Sequence, residues 1–105
     1  MNSDRKVLAR INTATVGDNT IIDAPSIGHI EIDHISVLVS GGANNLTFKN
    51  GATTLFNFDL VNDAGWAFDN SFKNPIELSE ATAFVLNLGS ATQVDGLVLF
   101  RVVGQ

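Results

Sequence analysis

The chain has no cysteine and no tyrosine, only two prolines, two histidines and one tryptophan, and charged residues fill just 16% of its 105 positions. Without cysteine there are no disulfide staples, thiolate metal centres or thiol nucleophiles. Without tyrosine, and with the seven phenylalanines falling mostly in strand cores, a single tryptophan leaves few rings for a sugar-stacking face, which usually presents two or more coplanar aromatics. Six basic residues against eleven acidic ones give a net charge of −5, which argues against a nucleic-acid binder held by phosphate contacts. No apolar run approaches the roughly 20 residues of a membrane-spanning helix. No basic segment followed by an apolar stretch opens the chain, where Asn2-Ser3-Asp4-Arg5-Lys6 leads straight into alternation. Helical periodicity is also missing; the best stretch, 78–85, is β-branched and aromatic and suits a strand better.

What the chain does have is 45% hydrophobic residues in short runs separated by turn residues. That balance predicts one globular domain with one core. Strand signals recur at 6–13, 20–23, 29–40, 45–49, 53–60, 76–78, 82–88 and 97–103. Such a series of short strands predicts an all-β protein, a two-sheet antiparallel β-sandwich of jelly-roll type with about eight short strands. The strongest local signal is Asn50-Gly51, set between Leu46-Thr47-Phe48-Lys49 and Thr53-Thr54-Leu55-Phe56-Asn57-Phe58, where Asn-Gly supplies the positive φ of a tight hairpin.

Parity along each strand shows the buried faces. Phe56, Phe58 and Leu60 share one face of 53–60, with Asn57 and Asp59 opposite, so this strand has a wet side. In 29–40, Ile30 and Ile32 have the opposite parity to Ile35, Val37 and Val39, which predicts a β-bulge or bend near Asp33-His34. The two last strands are apolar on both sides. A second dry face beyond the core suggests either a subunit interface, with Ala83, Val85, Leu97, Val98, Leu99, Phe100 and Val102 as its candidate residues, or a loop or the N-terminal arm covering that face within the chain.

Charge is uneven along the chain. Residues 1–10 hold Arg5, Lys6 and Arg10 against Asp4, a net +2, leaving −7 on the remainder. The expected organisation is an N-terminal arm over 1–10 and a single domain over 11–105. A solvated terminus explains the arm as simply as docking on an acidic partner surface does; in the second case Arg5, Lys6 and Arg10 make the contact.

Reactive constellations are sparse. His29, Glu31 and Asp33 project to one face of an extended strand, with His34 beside them, and imidazole with carboxylates can ligate a divalent cation. A cupin-type site would need a second histidine two residues on and another farther downstream, whereas His29-Ile30-Glu31 is followed only by His34; a solvated polar face beside a bulge is the simpler expectation. Asn62, Asp63, Asp69 and Asn70 surround Trp66 on an expected loop but lack calcium-loop spacing. Trp66 suits a hydrophobic plug at the end of a sandwich, or a stacking ring for a sugar. Gly41-Gly42-Ala43-Asn44-Asn45 is Gly-rich yet has no following Lys or helix for a phosphate, and no Gly-x-Ser-x-Gly occurs. Neither catalysis nor a cofactor or metal is expected.

Two segments resemble patterns of small virion proteins of tailed bacteriophages. One is Asn45-Leu46-Thr47-Phe48-Lys49-Asn50-Gly51-Ala52-Thr53, similar to N-x-[TV]-F-[KR]-x-G-[AS]-T. The other runs Leu86-Asn87-Leu88-Gly89-Ser90-Ala91-Thr92-Gln93-Val94-Asp95-Gly96-Leu97-Val98-Leu99-Phe100, with Phe100 where the pattern has Tyr. The resemblance implies a non-enzymatic structural protein of the virion. Its expected form is a head decoration (cement) protein: a jelly roll that assembles as a homotrimer on the outer surface of the capsid and stabilises the shell of major capsid protein. A carbohydrate-binding sandwich module and a phage tail or fibre module are the alternatives.

Overall fold

Alternating apolar residues drive this chain into strands whose dry faces must meet, and the computed structural model, which describes residues 5–69 and 74–104, contains nine strands and no helix among them. In chain order they are β1 (Val7–Thr13), β2 (Gly17–Ile22), β3 (His29–Ser40), β4 (Asn44–Asn50), β5 (Thr53–Leu60), β6 (Gly65–Asp69), β7 (Ile76–Glu77), β8 (Phe84–Leu88) and β9 (Gln93–Val103). Sheet A has the order β1-β9-β3-β6, with β7 also pairing β3; sheet B has the order β2-β8-β4-β5. Every pairing is antiparallel. With the two-residue β7 set aside, the first strand pairs the last, the second the second-last, the third β6, and β4 its neighbour β5. A long two-ply ribbon rolled into two facing sheets has this connectivity, and it is a jelly roll.

The eight principal strands differ in one place from those expected. The sequence of β6 reads as loop, because Gly65, Ala67 and Asp69 have weak strand preference. Trp66 and Phe68 nevertheless alternate with them, and β6 docks on β3 with Trp66 opposite Val37 and Phe68 opposite Ile35. The segment near residue 76, counted among the eight, is instead a short accessory strand.

The core lies between the sheets. Ile11, Ile30, Ile32, Ile35, Val37, Val39, Val94 and Val98 come from sheet A, and Ile22, Leu46, Phe48, Phe84, Leu86 and Leu88 from sheet B, all buried. Phe48 is at the centre of the aromatic part, 5.5 Å from Phe84 and 5.8 Å from Trp66 between ring centroids, both stacked. Trp66 also lies 4.7 Å from Phe58. The tryptophan is therefore built into the sandwich from a strand, rather than placed as a plug on a loop.

The parity slip in β3 is a bulge. Ile32 pairs Phe100 while His34 pairs Leu99, so Asp33 is the extra residue. The β4–β5 hairpin is also present, but its turn is one residue later than Asn-Gly suggests. Asn50 pairs Thr53, so Gly51 and Ala52 form the turn, and only Gly51 takes a positive φ, of 61°. Glycine at the first central position is the type II′ arrangement. β9 begins at Gln93, four residues earlier than expected, because Gly96 conceals its alternation. Val94, Gly96 and Val98 face Val39, Val37 and Ile35, and a Cβ on Gly96 would collide with the Ser36 carbonyl.

Candidate functional site

The register of sheet A fixes which side chains face out. Leu8 and Leu99 pair directly, Arg10 pairs Leu97, and Leu97 pairs Ser36 on its other side. Leu38 pairs Asp95, and His34 lies between Leu99 and Asp69. Three leucines on this face are still wet: Leu8 is 65% exposed, Leu38 49% and Leu97 39%. The core beneath is already closed by the opposite face of the same strands.

Of the seven expected interface residues, the structure brings Leu97 and Leu99 to this face. Val98, one residue on, is fully buried in the core, Phe100 packs against that core, and Val102 pairs Ile30 on the inward side. Both faces of β9 are apolar, but one of them is the core itself. Val85 is on the outer side of sheet B, where its neighbours Thr20 and Lys49 leave it only 8% exposed. Ala83 precedes β8, and its carbonyl accepts the Gly51 N–H at 2.9 Å.

The outer face of sheet B is polar and internally bonded, unlike the dry second face expected for 82–88. Asn57 Nδ2 donates to Asn45 Oδ1 at 2.9 Å and to Thr47 Oγ1 at 2.6 Å, and Asn45 Nδ2 donates to Asp59 Oδ1 at 2.8 Å. Asn87 Nδ2 donates to Asp18 Oδ1 at 2.7 Å, and Lys49 Nζ reaches the same carboxylate at 3.1 Å. The bond from Asn87, then that from Lys49, hold the Asp18 pKa below its ordinary value. A shallow groove of about 310 Å³ at the sandwich end is lined by residues including Asn44, Asn45, Asp59 and Ser90. Asn44 is committed there to structure: its Nδ2 donates to the Ser90 and Thr92 carbonyls and its Oδ1 accepts the Ser90 N–H.

The remaining chemistry gathers at one end of the outer face of sheet A. His29 Nε2 is 2.9 Å from Glu31 Oε2, Arg101 Nε is 3.4 Å from Glu31 Oε1, and an Arg101 Nη is 3.7 Å from Asp33 Oδ1. His34 Nδ1 is 3.6 Å from Asp69 Oδ1. The solvated polar face expected here is instead largely covered, with the Glu31 side chain 12% exposed and that of Asp33 7%. The bulge sends Asp33 to the basic residues Arg101 and Lys6, away from the His29–Glu31 pair. Its place is taken by Glu77 of β7, which sits directly opposite Glu31, so that His29, Glu31 and Glu77 offer ligand atoms within 4.8 Å of one another. Glu77 carries no signal in the sequence, because only the β3–β7 pairing brings it here.

The basic residues of the arm divide. Lys6 Nζ is 3.7 Å from Asp33 Oδ2, and Arg10 is exposed beside Leu97 within β1, which begins at Val7; Arg5 is exposed. Residues 7–10 are thus part of the sheet, and residues 1–4, like Asn70, lie outside those described. Comparison of the chain with protein-family models and with curated proteins gave no match.

Proposed function

We propose that this chain is a non-enzymatic structural protein of a tailed-phage virion, a decoration module that coats the outside of the head as a homotrimer. The observation that carries the reading is the row Leu8, Leu99, Leu97 with nearby Leu38 on the outer face of sheet A, three of them substantially exposed on a sheet whose core is already complete. Exposed apolar groups clustered on a rigid face mark surfaces that meet another protein. A cyclic assembly buries such a face without leaving an open edge. The hairpin and terminal-strand motifs that resemble virion proteins fall on β4–β5 and β8–β9, of which β8 and β4 are the two inner strands of sheet B, β9 is an inner strand of sheet A and β5 is an edge strand. Arg5, exposed ahead of β1, supplies the contact to an acidic shell, while Arg10, paired with Leu97, belongs to the assembly face.

Light scattering coupled to size exclusion tests the assembly, and co-sedimentation with expanded heads of the encoding phage tests the partner. The expected mass is about three times 11.2 kDa, and the expected binding is lost in an Arg5→Glu variant that still forms the trimer. A chain that stays monomeric at all concentrations and does not sediment with heads overturns the reading.

A further inference from the structure

We propose that His29, Glu31 and Glu77 form a divalent transition-metal site, with zinc the ion that suits them, which fastens β7 to β3. The inference is independent of the assembly role. It begins from a feature that sheet pairing alone does not favour: Glu31 and Glu77 are directly opposed across β3 and β7, and like charges at opposed positions destabilise a sheet. Arg101 offsets only part of this, since its Nε is 3.4 Å from Oε1 of Glu31, the oxygen on the side away from His29. Among the described residues no Lys or Arg forms an ion pair with Glu77. A dication between the two carboxylates removes the repulsion.

The donor set is chemically suited to that ion. Imidazole nitrogen with two carboxylate oxygens is a borderline set that zinc accepts with water completing a tetrahedron. Ligands about 2.0–2.1 Å from a tetrahedral ion are about 3.3 Å apart. The His29 Nε2 to Glu31 Oε2 separation is 2.9 Å, and the three ligand atoms lie within 4.8 Å of one another, so a change of rotamer in the exposed Glu77 closes the set. Backbone pairing already holds all three residues. Arg101 then takes the place of an outer partner, its Nε 3.4 Å from the Glu31 oxygen not given to the metal, where its charge balances that carboxylate in part. Binding replaces the His29–Glu31 hydrogen bond: the Nε2 proton that the Glu31 carboxylate accepts gives way to the metal, and the coordinated neutral imidazole carries its proton on Nδ1.

The test titrates zinc chloride into the full chain and follows the imidazole nitrogens by NMR. Only two histidines are present, and His34, paired with Asp69, is the internal control. The expected result is that the His29 Nε2 resonance shifts and saturates at one equivalent while His34 does not move. Changing even an outer partner of a metal site costs about 10–100-fold in affinity, so Glu77→Gln, an exposed substitution, should weaken zinc binding at least tenfold and leave the amide spectrum unchanged. No shift at His29, a parallel shift at His34, or wild-type affinity in Glu77→Gln overturns the proposal.

Discussion

Leu97 and Val98 are neighbours on β9, alike in chemistry and opposite in direction, and the same substitution at each should have separate consequences. Val98 is 0% exposed, and Val98→Thr keeps its shape while placing a hydroxyl in the dry core. The carbonyls of β9 are engaged by β1 and β3 on its two sides, so the hydroxyl finds no ready partner. An unpartnered buried hydroxyl costs about 1–3 kcal/mol. At about 4–8 °C per kcal/mol for a domain of this size, the Tm falls by on the order of 10 °C. Leu97 is 39% exposed, so Leu97→Thr in the isolated protomer costs about 1 kcal/mol or less.

Association reverses the order. Leu8, Leu38 and Leu97, at 65%, 49% and 39% exposed, leave the equivalent of about one and a half leucine side chains in water. Burying a leucine fully contributes about 1.5–3 kcal/mol, so the 39% of Leu97 still in water is worth about 1 kcal/mol per copy and about 3 kcal/mol in a trimer. Trimer dissociation depends on the square of concentration, so the midpoint for Leu97→Thr rises roughly tenfold, at about 1.4 kcal/mol per decade. Val98→Thr should leave that midpoint near the wild-type value. The assays are light scattering across a dilution series, and urea unfolding at a dilution where the chain is monomeric. If Leu97→Thr destabilises the monomer as much as Val98→Thr does, or leaves the midpoint unchanged, the assignment of the outer face as the assembly surface is refuted.

Gly96→Ala should abolish folding or lower the Tm beyond Val98→Thr, because the added Cβ meets the Ser36 backbone carbonyl at the central β3–β9 pairing and neither strand can move aside; circular dichroism decides this. The lowered pKa of Asp18 means that its bonds to Asn87 and Lys49 stabilise the fold above the ordinary carboxylate pKa and are lost as pH falls through the lowered value. The difference in urea midpoint between wild type and Asp18→Asn should therefore be present at pH 7 and shrink below about pH 4, the ordinary Asp value; a difference that persists into acid excludes this origin. Trp66, facing Phe48, Phe56 and Phe58, should show emission that soluble sugars do not change, and a saturable shift on titration would restore the carbohydrate-binding alternative.

Sequence reasoning succeeds here where side chains alternate and fails where a residue has no side chain to show its direction. Ile30, Ile32, Ile35, Val37 and Val39 reveal both the buried face of β3 and its bulge. The start of β9 is hidden in the sequence because Gly96, an inward position, is silent, and β6 is hidden because Gly65 and Asp69 resemble turn residues although Trp66 and Phe68 alternate. The two-sided apolar pattern of β9 was legible, but periodicity alone does not say which side is the core. That needs the register, in which Val98 pairs Ile35 and Leu97 pairs Ser36. Glu77 was beyond reach for a different reason: its role depends on a contact across 46 positions of chain, between residues 31 and 77, with no local pattern to announce it.

The bulge joins the fold to the chemistry of its outer face. Had Asp33 been paired in a regular ladder, either Ile30 and Ile32 or Ile35, Val37 and Val39 would have faced outward, since a one-residue change of register reverses every side chain. The bulge, by leaving Asp33 out of the pairing, keeps all five in the core. It also puts two consecutive polar residues, Asp33 and His34, at the point where the strand bends, so that Arg101 reaches both Glu31 and Asp33 from a single position on β9. Deleting Asp33 would join Ile32 to His34 in the register they already hold against Phe100 and Leu99, so Ile30, Ile32, Ile35, Val37 and Val39 would alternate regularly on the core face, whereas Asp33→Asn keeps the bulge and removes only the charge that Arg101 and Lys6 face. Both variants should therefore fold, as circular dichroism would show, and an unfolded deletion variant would mean that the fold requires the bend at Asp33 itself and not only the parity that the bulge absorbs.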